Sequence, residues 1–137
     1  MKYLIASDHA GFHLKQELIK SCEHEWIDLG PESTDSVDYP DFAHKLADAM
    51  KEGQAEFGVL ICGSGIGISM AANRHKHVRA ALCTHGLMAK LARQHNNANV
   101  LVLGERLTGV DVAKDCLTQF SETEFEGGRH TARVEKI

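Results

Sequence analysis

What most constrains the fold of this chain is an alternation along it. Short, continuously apolar runs at 2–6, 26–29, 57–62, 78–82 and 99–103 are followed by longer stretches at 12–22, 42–50, 66–73, 87–95 and 110–120, where apolar residues recur at helical spacing. A continuously apolar run suits a strand buried on both faces. A single stripe, such as Phe42, Ala43, Leu46, Ala47 and Met50, or Val110, Ala113, Leu117 and Phe120, suits a helix laid on a sheet. Pro40 fits the first turn of the second helix, and Thr108 with Asp111 three residues on resembles a capping box before the fifth. Repeated strand–helix units with short connections predict an α/β fold: one Rossmann-like domain over 1–137, a three-layer α/β/α sandwich around a five-stranded parallel sheet. Ligands of such sheets bind beyond the carboxyl ends of the strands, which directs attention to Ser7, Asp8 and His9 and to 62–67, 83–85 and 104–106. The stretch 126–133, with its glycines and arginines, departs from the rhythm.

A composition of 43% hydrophobic and 25% charged residues over 137 positions supplies a core that needs no metal or disulfide staple. The net charge of −4 leaves no overall positive field to draw the chain to nucleic acid or an anionic membrane, so any anion site must be local. Cys22, Cys62, Cys83 and Cys116 are widely spaced with no Cys-x-x-Cys pair, the usage of a cytoplasmic protein with reduced thiols. The apolar stretch 3–6 is too short for a secretory signal, and no run approaches the ~18 residues of a membrane span.

The most informative stretch is Cys62-Gly63-Ser64-Gly65-Ile66-Gly67, leading from the third strand into a helix. Glycines let the backbone approach a ligand closely, and the free N–H groups of a helix start face an anion, so the loop reads as an oxyanion or phosphate nest. It lacks the Lys-Ser or Lys-Thr of a nucleotide P-loop and is Gly-x-Gly-x-Gly rather than the dinucleotide fingerprint; Cys83 and Thr84 stand where that fingerprint wants an acid. A cysteine phosphatase would have an arginine where Ile68 stands. What remains is a cysteine at the mouth of an anion nest, where a thiolate is favoured and can act as base or nucleophile; the plain alternative is a small buried hydrophobe ending a strand.

Asp8 and His9 follow the first strand, so both belong at the same sheet edge as Cys62, as ligand contacts or as a helix cap beside a solvated ring. His95 ends the apolar stripe of Leu87, Met88, Leu91 and Ala92, and Asn96 follows it, as a helix stop or a ligand contact. Arg129, His130 and Arg133 gather positive charge after Gly127-Gly128, which suits a phosphate or else a solvated tail paired with Glu124, Glu126 and Glu135. His75-Lys76-His77 offers two imidazoles without a third ligand nearby, and neither a metal nor another cofactor is expected.

Taken in order, Ser7-Asp8-His9-Ala10-Gly11, Asp38-Tyr39-Pro40, the Cys62 loop, Arg93-Gln94-His95-Asn96, Gly104-Glu105-Arg106 and Gly127-Gly128-Arg129-His130 closely resemble the type B ribose-5-phosphate isomerases, whose family also holds the galactose-6-phosphate isomerase subunits. The resemblance spans essentially the whole chain. It implies metal-free interconversion of ribose 5-phosphate and ribulose 5-phosphate through an enediolate, in the nonoxidative pentose phosphate pathway. It also implies a homodimer, with a further step to a tetramer open, whose sites lie between subunits and draw on the tail from about 121. In that reading Cys62 is the base, and Gly63, Gly65 and Gly67 with Ser64 hold the enediolate oxygen. His95 opens the sugar ring with Asp8 assisting, and Asn96 touches the sugar. His9, Arg106, Arg129 and Arg133 hold phosphate or line its pocket, Tyr39 lies near the ring, and His130 sits in the same segment.

One branch of that family lacks the cysteine and uses a glutamate where this chain has Ile68, so the resemblance is to the cysteine branch. Ser64 replaces a common threonine and keeps its hydroxyl. The A-type galactose-6-phosphate isomerase subunit lacks the cysteine and the B-type lacks the Gly-Gly-Arg-His block; this chain has both, as a homomeric enzyme should. The alternatives are an isomerase of allose 6-phosphate or a related hexose phosphate, and a noncatalytic sugar-phosphate-binding module.

Overall fold

Successive side chains of the central strands point into two different helical layers, and this alternation builds the molecule. The computed structural model describes residues 1–137. Strands β1 (Lys2–Ser7), β2 (Glu25–Asp28), β3 (Phe57–Cys62), β4 (Ala80–Leu82) and β5 (Val100–Gly104) are all parallel, in the order β2-β1-β3-β5-β4. Tyr3, Ile5, Val59, Ile61, Leu101 and Leu103 face α1 (Phe12–Ser21), α4 (Gly86–Asn96) and α5 (Val110–Glu122). Leu4, Ala6, Leu60, Cys62, Val100 and Val102 face α2 (Tyr39–Lys51) and α3 (Ile66–Ala72). The predicted three-layer sandwich and five-stranded parallel sheet are therefore present. The strand order reverses between β1 and β3, so their carboxyl-end loops part toward opposite layers and leave a crevice between them.

Four expectations need correction. β4 begins at Ala80 rather than 78, because Arg79 gives its N–H to the Asn99 side chain at 2.7 Å instead of to the ladder. The capping box before α5 does not form: Gly109 is the N-cap without a side-chain hydrogen bond, and Thr108 is buried. The tail after α5 ends in a further short helix, α6 (Arg129–Val134), which periodicity could not reveal over so few residues. In α4 the stripe of Leu87 and Met88 turns outward, at 59% and 38% exposure, while Gly86, Ala89 and Arg93 are buried. Small residues let α4 approach α5 closely, since a side chain at Gly86 would collide with Asp115 and Gln119. The larger apolar groups are left on the surface.

Lys15, fully buried, gives its ammonium to Asp28 at 2.7 Å and to the Pro31 carbonyl at 2.8 Å, pinning the start of the β2–α2 connection under α1. That connection reaches the crevice at Val37.

Candidate active site

The β3–α3 loop owes its shape to glycine. Gly65 sits at φ +78° as the N-cap of α3, a conformation costly to a residue with a Cβ, and a side chain there would also meet Leu82 and the Leu103 backbone. This turn aims the Gly65 N–H at Cys62 Sγ, 3.1 Å away. Cys62 itself is 4% exposed at the floor of the crevice. The sulfur thus accepts a backbone hydrogen bond at the start of α3. Ser64 Oγ accepts from the Ile66 N–H at 3.2 Å and reinforces the turn.

Around this floor the structure gathers four of the expected residues. The Asp8 carboxylate is buried and accepts from the Gly11 N–H at 3.0 Å, while its own N–H bonds the Ile61 carbonyl at 3.1 Å. Asp8 is thus a cap, worth about 1 kcal/mol by the usual scale, and its position also faces the loop after β3. His9 Nδ1 accepts from the Val37 N–H at 3.1 Å, which orients the ring and frees Nε2. Tyr39 packs on Gly67, where any side chain would strike its ring at 2.6 Å. Arg106 donates its backbone N–H to the Gly63 carbonyl at 2.9 Å, and its guanidinium folds over Gly63.

The other expected residues lie elsewhere. His95 and Asn96 end α4, just before β5 begins, whereas Cys62 is paired with Gly104 at the far end of that strand. From Val100 to Gly104 the sheet spans roughly 13 Å at about 3.3 Å per residue, so His95 and Cys62 occupy opposite edges. His95 instead stacks on His130 of α6, ring centroids 4.4 Å apart and 15° from parallel. Arg129 and Arg133, one turn apart on α6, are exposed beside them. Burial, the His95 ring and Arg129 hold the His130 imidazolium below the usual histidine range. Sequence reading named Arg93 in a motif but gave it no role; it anchors this edge, donating to the Ala98 carbonyl at 2.6 Å, Asn97 Oδ1 at 3.0 Å and the Thr123 carbonyl at 3.2 Å, over the Phe57 ring. The same reading missed Val37 and assigned nothing to Glu105, whose carboxylate takes the Leu14 N–H at the start of α1. No local pattern signals these long-range contacts.

A cavity of about 520 Å³ also opens at the amino edge, lined by His75, Lys76, Arg79, Asn96 and Ile137 among others. It lies at the edge away from Cys62 and the β3–α3 glycine loop, so the N–H-lined loop rather than volume marks the Cys62 crevice as the candidate reaction centre. No helix is long and apolar enough to cross a membrane.

Residues 3–137 match the Ribose/Galactose Isomerase family. The chain is 42% identical to ribose-5-phosphate isomerase B of Escherichia coli strain K12, covering 99% of this chain and 93% of that one. Ribose-5-phosphate isomerase B of Clostridium thermocellum superposes with a TM-score of 0.95 at 49% identity, covering 99% and 94% of the two chains. The Thermotoga maritima ribose 5-phosphate isomerase matches with a TM-score of 0.94 at 48% identity, covering 98% and 95%.

Proposed function

We propose that this chain, which belongs to the ribose/galactose isomerase family, interconverts ribose 5-phosphate and ribulose 5-phosphate with Cys62 as the base. The observation that carries this reading is the Gly65 N–H aimed at a buried Cys62 Sγ at 3.1 Å, in a loop that offers further N–H groups to a developing oxyanion. The thiolate takes the proton from C2 of the open aldose, leaving an enediolate whose negative O1 is held by the loop N–H groups and the Ser64 hydroxyl. The thiol then returns that proton to C1; O2 loses its proton as O1 gains one, and the ketose results. Asp8 and Tyr39 line the sugar, and His9 and Arg106 stand at the crevice for polar or phosphate contact. The reaction belongs to the nonoxidative pentose phosphate pathway and takes place in the cytoplasm.

Ring opening falls to His95, with Asn96 beside it, and phosphate binding to Arg129 and Arg133. Because those residues lie at the opposite sheet edge from Cys62, one chain cannot assemble the site, and the reading is a homodimer in which each site combines the Cys62 crevice of one chain with the His95 edge of the other. The exposed apolar residues Ile66, Met70, Leu87, Met88 and Leu107 support this, since they would be covered by such a partner.

The test is the rate of ribulose 5-phosphate formation by purified protein in excess EDTA, beside Cys62→Ala and with allose 6-phosphate as second substrate. Turnover of the pentose phosphate, lost by about a thousandfold or more in the variant, is expected. Preference for allose 6-phosphate would move the substrate to a hexose phosphate. Tight binding of both sugars without turnover would make the chain a binding module.

A further inference from the structure

The geometry points to a zinc-type cation site formed by His95, Glu126 and His130, through which the metal inhibits the enzyme by holding the ring-opening imidazole. The inhibitory half rests on the role proposed for His95; the binding half does not. One donor atom from each residue lies within 4.8 Å of the other two. His130 is only 7% exposed, and its buried Nε2 has no hydrogen-bond partner. A buried polar atom without a partner destabilises the fold, and a cation ligand would satisfy it. Glu126 Oε1 is 4.0 Å away, too far for a hydrogen bond. Two ligands of one tetrahedral zinc stand about 3.4 Å apart with bonds near 2.1 Å, so a modest rotation of side chains closes the set.

Two imidazoles and one carboxylate are the donors of zinc rather than of magnesium or calcium, which prefer oxygen alone. The set leaves a coordination position open to water or to a sugar hydroxyl. Arg129 and Arg133 oppose a cation here, and the Glu126 carboxylate offsets part of their charge. The molecule's other close imidazole pair, His44 Nδ1 and His75 Nε2 at 2.7 Å, belongs to no such three-donor group and serves as the control.

Zinc binding is measured on purified full-length protein by competition with a chromophoric chelator. Cys62→Ala and His75→Ala are expected to bind one zinc per chain as the unaltered protein does, while His130→Gln and Glu126→Gln each weaken binding by about 10- to 100-fold. In the rate assay zinc lowers turnover, EDTA restores it and magnesium has no effect; Glu126→Gln keeps its basal rate and requires about tenfold more zinc. Loss of binding in Cys62→Ala, or unchanged binding in both His130→Gln and Glu126→Gln, overturns the site. Binding as expected without inhibition overturns the inhibitory role. Should the protein turn over no sugar phosphate while the binding pattern holds, the cation site stands and the isomerase reading fails.

Discussion

At the carboxyl edge of the sheet Cys62, Asp8 and Arg106 are held by hydrogen bonds that also close the fold, whereas at the amino edge His95, Arg129 and Arg133 stand on a helix end and a six-residue helix beyond the last repeat. Few substitutions in the first region could spare stability: a side chain at Gly65 or Gly67 meets neighbouring atoms at once, and Asp8 bridges β1 to β3. The second region rests chiefly on Arg93 and on His130 packing against His95, and its arginines face solvent. In the proposed enzyme, the proton-transfer chemistry is thus built into strand ends, and substrate recognition is carried on an appendage that can vary without disturbing the core.

The sharpest way to break this contrast is to divide the regions between chains. Mixed after subunit exchange, Cys62→Ala and His95→Ala proteins, each inactive alone, should regain about a quarter of the native rate, since half of the dimers are hybrids and each hybrid has one intact site. Recovery of nothing, with exchange verified by mass, would mean that the two edges do not cooperate across a dimer. A smaller effect tests the appendage: Arg133→Ala should raise KM for the phosphorylated sugar by about 10- to 100-fold with little change in kcat, as loss of a charge-assisted contact does. An equal loss on unphosphorylated ribose would remove its phosphate role.

The smallest effect concerns pH. His130, His75 and His24 all have pKa values lowered chiefly by burial, so the folded chain resists protons that the unfolded chain accepts near pH 6.5. Stability is therefore full above about 6.5, falls as pH descends through that value, and levels off below the depressed folded pKa values. Tm should be lower at about pH 5.5 than at about pH 7.5, and His75→Gln should flatten the difference. A Tm unchanged across that window would show that these imidazoles protonate equally in both states.

Much of the candidate reaction centre was legible because its signals are local. The run 57–62 is apolar enough to be a central strand, and three alternating glycines behind a cysteine mark a loop with special backbone needs, which Gly65 at φ +78° meets. Ordinary pattern failed in α4, where Leu87 and Met88 compose the better apolar stripe yet the small face of Gly86 and Ala89 is buried. The apolar periodicity of one helix cannot weigh how closely a neighbour approaches. It failed again at Thr108, whose spacing to Asp111 suggested a cap that Gly109 occupies without a side-chain bond.

The sequence by itself determined the alternation of strands and helices, the glycine loop behind Cys62, the family and the candidate site residues, because periodicity and glycine placement act within a few residues. Only the tertiary structure decided which of them meet. The direction of α4 carries His95 back to the amino edge, Arg93 binds that edge to the end of α5, and α6 brings His130 onto His95. These contacts join residues up to some thirty-five positions apart through packing and hydrogen bonds that no local spacing encodes, which is why one chain holds both halves of the proposed site and joins neither to the other.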